Sequence, residues 1–395
     1  MSSAPSNAPR IGIWFAATFT LFFTRAFLFS TWVSRGPEVK DLLNLDTIQM
    51  GLLTMLYPLG GLLGVAFSSQ LVHRYGSKWV TLGCYAMSTV GLIGLGATIT
   101  AGQVVATGAL LMVVGLPMAI SDYVGNHEGS GVDRASKRSM FSAIHGAFGV
   151  GMLLGAGLSS VAIDSNVALA THFTVIALFT GLTTAVAAFV LPKHEEAEIS
   201  AETKRQNRAL ALKAWTEKRS LTIALIGFSF IMAETSAGTW VPIALTKTGF
   251  SEAEAAAAFS MFWVVVTIMR LIGGYIVDAI GRRATVLVSA IVAASGIALF
   301  MLVDYIAVPY VALVLWGAGM AIGFPMSVSS MGDDPVLAPG RINMIITVVY
   351  ISSMTVGPAL GAVGQVAGIY AAFGIPLAFL IVSALLSKVT KPASV

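Results

Sequence analysis

Long apolar stretches, each interrupted by only a few polar residues, run through most of the chain. A helix needs about 20 predominantly apolar residues to cross a bilayer. Residues 79–121 contain no Asp, Glu, Lys or Arg, which leaves room for two spans with a turn near 100–103. Residues 342–387 are equally free of charge and again hold two. Segments 165–192, 284–303 and 305–332 supply one span each, and the others fall at 11–34, 47–71, 139–160, 220–246 and 251–276. The pattern predicts an all-α membrane protein with twelve transmembrane helices.

One long polar segment, 192–219, interrupts the series. It divides the chain into an N-terminal six-helix half, residues 1–191, a solvated and partly helical linker, 192–219, and a C-terminal six-helix half, 220–395. The polar N-terminal ten residues run directly into an apolar stretch without a small-residue cleavage site, so they are expected to be a short cytoplasmic tail and not a removed signal peptide.

Composition supports the same reading. The chain is 56% hydrophobic and only 11% charged, with a mean hydropathy of +0.84. Soluble domains carry about 25% charged residues, so water could not wet this surface and lipid must cover much of it. The net charge of +4 matters less than its placement. With the N-terminus inside, Arg35, Lys40 and Lys247 lie outside, Arg25 and Arg270 lie within spans, and every other Lys and Arg is cytoplasmic. The asymmetry predicts that both termini are cytoplasmic. The basic clusters serve topology, and no nucleic-acid partner is expected. Cys84 is the one cysteine, which excludes an internal disulfide or a Cys-based metal site.

The two halves repeat a signature. Between spans 8 and 9 the sequence reads Gly274-Tyr-Ile-Val-Asp278-Ala279-Ile-Gly281-Arg282-Arg283, and between spans 2 and 3 it reads Ser69-Gln-Leu-Val-His73-Arg74-Tyr-Gly76-Ser77-Lys78. A second echo sets Thr31-Trp32-Val33 of span 1 against Thr239-Trp240-Val241 of span 7. The chain resembles the major facilitator superfamily, whose signature loop is Gly-x-x-x-Asp-(Arg)-x-Gly-Arg/Lys-Arg/Lys. The second copy is complete apart from Ala279 at the optional Arg, whereas the first has Ser69 for Gly and His73 for Asp. The resemblance implies two pseudo-symmetric six-helix bundles that work by alternating access. It also implies a cytoplasmic clamp built from Gly274, Asp278, Gly281, Arg282, Arg283, Gly76 and Lys78, with Arg270, two turns before Asp278, assigned to the same clamp.

Few charges lie inside the spans: Arg25 in span 1, Asp122 in span 4, Glu234 in span 7 and Arg270 in span 8, with His145 in span 5 as a further titratable group. A mid-bilayer charge costs about 2.5–3.5 kcal/mol even on the lenient insertion scale, so each needs a partner or a wet cavity. Spans 1 and 7 line the central cavity in the family fold. This makes Arg25 a candidate for an anionic, carbonyl or hydroxyl group of the substrate, and Glu234 a candidate for a proton or a substrate hydroxyl; a mutual salt bridge is the alternative. Asp122, placed in the last turn of span 4 and followed by Asn126, is similar to the acid and Asn of the fucose-permease branch, where that acid takes part in proton coupling. The Pro of that branch is His127 here. Pairing of Asp122 with Arg134 or another loop base at the membrane edge is the structural alternative. His145 is read either as a proton relay to Asp122 or as a hydrogen-bonded core residue.

Trp32 and Trp240 are expected in the aromatic belt at the outer ends of their spans. Trp263 and Trp316, nearer mid-span, are read either as stacking residues for a substrate or as core. Gly146, Gly149, Gly151, Gly155 and Gly157 of span 5 permit close helix approach. The Gly-Pro pair typical of the family's drug antiporters is absent from span 5; Gly357-Pro358 lies in span 11 instead.

There is no Gly-x-x-x-x-Gly-Lys-Ser/Thr loop, no Gly-x-Ser-x-Gly and no metal-spaced histidine cluster. No enzyme activity, cofactor or metal is expected. The sequence is therefore read as a monomeric secondary transporter of the inner membrane, moving a small polar solute, a sugar or organic acid, with protons by symport. Proton-driven efflux of amphipathic compounds and a non-transporting membrane receptor are the alternatives.

Overall fold

The computed structural model describes residues 11–136, 141–192, 212–302, 308–334 and 337–391. Most of the linker 192–219, together with Arg10, Lys137, Arg138, Lys193, Lys204, Arg205, Arg208 and the side chain of Arg134, lies outside the described residues. The described chain is helical throughout, with no strand. Its helices are α1 (Ile11–Ser34), α2 (Gly36–Leu42), α3 (Thr47–Thr100), α4 (Val104–Ala135), α5 (Phe141–Asp164) and α6 (Leu169–Val190). There follow α7 (Lys218–Thr246), α8 (Glu252–Met301), α9 (Val308–Met331), α10 (Ala338–Ala367), α11 (Ile369–Ala372) and α12 (Gly374–Leu386).

Ten described helical stretches are long and apolar enough to cross a membrane, and two of them, α3 with 54 residues and α8 with 50, are long enough to cross twice. Each of the two breaks at the signature glycine. Gly76 has φ 76° and ψ 157°, and Gly281 has φ 79° and ψ 157°, a backbone region that is essentially reserved for glycine. The two signature loops, unequal in sequence, therefore make the same turn. Their helices also start alike. Asp46 and Gln49 form a reciprocal capping box at the start of α3. Ser251 and Glu254 exchange the same bonds at the start of α8.

The chain divides into two compact units, Met1–Glu196 with Val241–Val264 and Ala197–Trp240 with Val265–Val395, in their described parts. In the first, α1 packs against α5 and α6, and α3 packs against α4 and α6. The approach of α5 to α1 is what the span 5 glycines allow. A Cβ on Gly151 would stand 2.3 Å from the carbonyl oxygen of Phe23, and one on Gly155 would stand 2.7 Å from that of Phe27. Ser30 Oγ donates to the Met152 carbonyl at 2.7 Å across the same seam. On the opposite side of α6, Val175, Leu178, Leu182, Val186 and Phe189 are exposed at helical spacing, the stripe expected of a lipid-facing helix.

Three expectations about positions are corrected. Helix α4 runs on to Ala135, so Asp122 lies well inside it and not in its last turn. Trp32 and Trp240 are 6% and 0% exposed, buried among neighbouring helices and not displayed in an interfacial belt. Trp316 is fully buried between Phe300 and Phe373, with ring centroids at 5.8 and 5.5 Å, which makes it a core residue of the second unit and removes it from the substrate-binding candidates.

Candidate functional site

In the first unit the intramembrane charges meet. Arg25 on α1 donates from Nη1 to Asp122 Oδ1 on α4 at 2.6 Å. Asn126, one turn further along α4, donates from Nδ2 to the same oxygen at 3.2 Å and to the Asp122 carbonyl at 2.8 Å. The described partner of Asp122 is thus Arg25, while the side chain of Arg134, the alternative, lies outside the described residues. Attraction in a poorly solvated setting favours such a pair, provided that both ions keep their hydrogen bonds. The two side chains remain 19% and 32% exposed, so the pair is reachable and not sealed in the core.

Aromatic rings hold the guanidinium. The Arg25 carbon Cζ lies 5.4 Å from the Phe22 ring centroid and 5.0 Å from that of Phe148 on α5, both within cation–π range. Phe22 in turn packs against His145 at 4.6 Å. Phe148 meets Trp263 of α8 edge-on at 5.8 Å. The sequence candidates Arg25, Asp122, Asn126, His145 and Trp263 are therefore gathered around two phenylalanines that sequence reasoning did not single out. Phe22 was legible as the residue one turn before Arg25, and Phe148 as the one a turn after His145. Trp263 itself is 2% exposed and meets the site at Phe148.

Behind the pair lies a buried hydroxyl knot. Thr24 Oγ1 shares hydrogen bonds with Tyr85 OH at 2.8 Å and Thr184 Oγ1 at 2.9 Å, and Tyr85 OH also donates to the Leu21 carbonyl at 3.2 Å. These bonds tie α1, α3 and α6 together beside Arg25 and fix the helix that carries it. Further along α4, the fully buried Glu128 accepts from Trp14 Nε1 at 2.7 Å.

The second unit holds a comparable pair. Glu234 Oε2 on α7 accepts from Arg270 Nη2 on α8 at 2.8 Å, with side chains 18% and 26% exposed. Arg270 Nε reaches the Ala321 carbonyl at 3.4 Å. Arg270, expected in the clamp, pairs here with Glu234, and Arg25 and Glu234 each have a counter-ion within their own unit.

Among the signature residues, Gly274 and Asp278 are exposed, and Asp278 makes no ion pair among the described residues. Arg282 donates to Asp333 at 2.7 Å and to Ser330 at 3.3 Å, while Arg219 takes the other oxygen of Asp333 at 2.6 Å. Lys78 rests over the rings of Phe189 and Trp79, at 4.0 and 5.2 Å, and Arg283 is half-buried. Asp333, which the sequence reading passed over, anchors the loop between α9 and α10 to the signature turn. Burial raises the affinity of its carboxyl for protons, but the two guanidinium groups outweigh it and hold the carboxyl below its ordinary range. A depressed carboxyl stabilises the fold above its unfolded pKa of about 3.9 and loses that contribution as pH falls through the lower folded value. Melting curves should therefore show wild type more stable than Asp333→Asn at pH 6, with the gap closing below about pH 4.

A family model described as the Major Facilitator Superfamily matches residues 13–350. The chain belongs to this superfamily. An uncharacterized MFS-type transporter of Yersinia pestis is 25% identical over 375 residues, 94% of each chain. Among solved structures, the major facilitator fold of the nucleoside transporter NupG superposes with a TM-score of 0.75 at 15% identity, covering 95% of this chain and 98% of that one. The E. coli fucose:proton symporter FucP superposes with a TM-score of 0.65 at 16% identity, covering 96% and 98%. Superfamily membership makes this chain a multi-pass membrane transporter and not an enzyme. The family expectation drawn from the signature loops is thereby met.

Proposed function

We propose that the protein is a proton-coupled symporter of the inner membrane that moves a small polar solute, a sugar or an organic acid, by alternating access. The observation that carries this reading is the Arg25–Asp122 pair: a carboxylate within a span, 32% exposed, hydrogen-bonded to Arg25 and Asn126. A proton arriving on Asp122 breaks its charge pairing with Arg25, so protonation and the hydrogen-bonding state of the site change together. That is the physical requirement for coupling. Glu234, paired with Arg270, is the second candidate for the protonated group, and His145, packed on Phe22, is the third. The fold is shared with a fucose:proton symporter and a nucleoside transporter, which supports a polar, hydroxylated solute. The Lys and Arg asymmetry supports cytoplasmic termini, and the exposed signature residues support a clamp role for Asp278.

The test is reconstitution in liposomes that enclose a pH-sensitive dye, with a panel of sugars, nucleosides and organic acids. One solute is expected to drive proton entry into the lumen. Saturable solute uptake with a silent dye would leave a facilitator and remove the proton from the mechanism.

A further inference from the structure

The charge balance of the site narrows the solute further, and the narrowing rests on the reading of Arg25 and Asp122 as substrate-facing. We infer that the solute is a neutral compound carrying adjacent hydroxyl groups, bound by the free N–H edge of Arg25 and the free oxygen of Asp122, and that carboxylates and phosphates are rejected.

Three observations lead there. First, the two cations within the spans are already neutralised inside their own units: Arg25 by Asp122 at 2.6 Å and Arg270 by Glu234 at 2.8 Å. An anionic solute would have to displace a carboxylate that is held in place, or lie beside it with its own charge uncompensated. Like charges at such range disfavour each other strongly where water is scarce. Second, the pair is only half satisfied. Of the five N–H donors of a guanidinium, Arg25 spends one direction on Asp122 and makes no other hydrogen bond among the described residues. Asp122 Oδ1 receives both Arg25 and Asn126, while Oδ2 has no hydrogen bond among the described residues. A donor edge and an acceptor therefore stand side by side, and both side chains keep exposed surface. A hydroxyl both donates and accepts. Two hydroxyls on neighbouring carbons can satisfy both groups and leave the net charge of the site unchanged. Third, the donor edge is held still. The rings of Phe22 and Phe148, at 5.4 and 5.0 Å, pack on the guanidinium. Ordering it before the solute arrives reduces the entropy lost on binding. Phe148 is accordingly a positioning residue that acts through Arg25.

The experiment measures binding to the purified full chain in detergent, separately from flux. The probes are L-fucose, D-xylose and uridine, a deoxy analogue of each that lacks one of two adjacent hydroxyls, and the anions D-glucuronate, uridine monophosphate and citrate. At least one neutral probe is expected to bind saturably. Its deoxy analogue should bind at least about tenfold more weakly, because a charged partner is left unpaired, and the anions should not compete. Phe148→Ala should weaken binding, and Phe148→Tyr should restore it, which a merely structural loss of packing elsewhere would not do. Sugar and nucleoside probes distinguish the two sources of adjacent hydroxyls. The inference is overturned if an anion binds more tightly than every neutral probe at any pH between 5.5 and 7.5, if the deoxy analogues bind equally well, or if no neutral hydroxylated probe binds. Neutral binding without proton movement would sink the coupling and keep this inference. Proton movement driven by an anion would do the reverse.

Discussion

Replacing Asp122 by Asn is expected to reduce solute-driven proton movement in proteoliposomes to background. Asparagine keeps the shape and can still accept from Asn126 and Arg25, but it cannot take up and release a proton. The substitution also leaves Arg25 without its counter-charge. Stranding a fully buried ion costs about 3–5 kcal/mol. Because Arg25 is 19% exposed and lies against two rings, the loss here should be smaller, and folded protein should still be recovered. The double variant Arg25→Gln with Asp122→Asn separates the two effects. It removes the stranded cation, so its thermal stability should exceed that of Asp122→Asn alone, while proton movement stays at background. Such non-additivity is what two residues in direct contact should show. Undiminished proton movement in Asp122→Asn would transfer the coupling role to Glu234, where Glu234→Gln would have to abolish it.

Much of this architecture was legible because it depends on local chemistry. A stretch of 20 apolar residues has few fates in a lipid-soluble chain, and the signature loop repeated at the same place in each half marks where α3 and α8 turn, at Gly76 and Gly281. The identities of the intramembrane charges were legible too, because a charge in a span is costly and therefore conspicuous. Their partners were not. Arg25 and Asp122 lie far apart in sequence, and only the packing of α1 against α4 and α5 selects one from the other acids. The mirror-like positions of Arg25 and Glu234 in the repeat left a mutual pair open as an alternative, whereas each finds a counter-ion on a helix of its own unit. The tryptophans misled for a related reason. A Trp near the end of an apolar segment suits an interface, but Trp240 is covered completely by neighbouring helices, which no single-helix pattern reveals. Phe148 carried no signal beyond its spacing from His145, since a phenylalanine in an apolar helix is unremarkable until a cation is found beside it.

Gly151→Val should be strongly damaging although it touches no charged group. A Cβ at Gly151 would come within 2.3 Å of the Phe23 carbonyl oxygen and 2.9 Å of Ala26 Cβ. Both contacts are with the α1 backbone or a side chain too short to move aside, so the helices themselves must separate. Overpacking of this kind typically costs about 1–3 kcal/mol, occasionally more. A branched residue adds two further carbons to the clash. Separation of α5 from α1 would also pull Met152 from Ser30 and Phe148 from Arg25, so any protein that still folds should bind solute poorly. Gly238→Ala on α7, where a new Cβ meets nothing within 4 Å, controls for the generic effect of adding carbon to a membrane helix. It should stay within about 0.5 kcal/mol of wild type. The comparison is made by melting temperature and by yield of monodisperse protein from the membrane. If Gly151→Val matched Gly238→Ala in both, the close α1–α5 seam would not be what holds the Arg25 guanidinium against Phe148, and the preorganisation of the site would need another source.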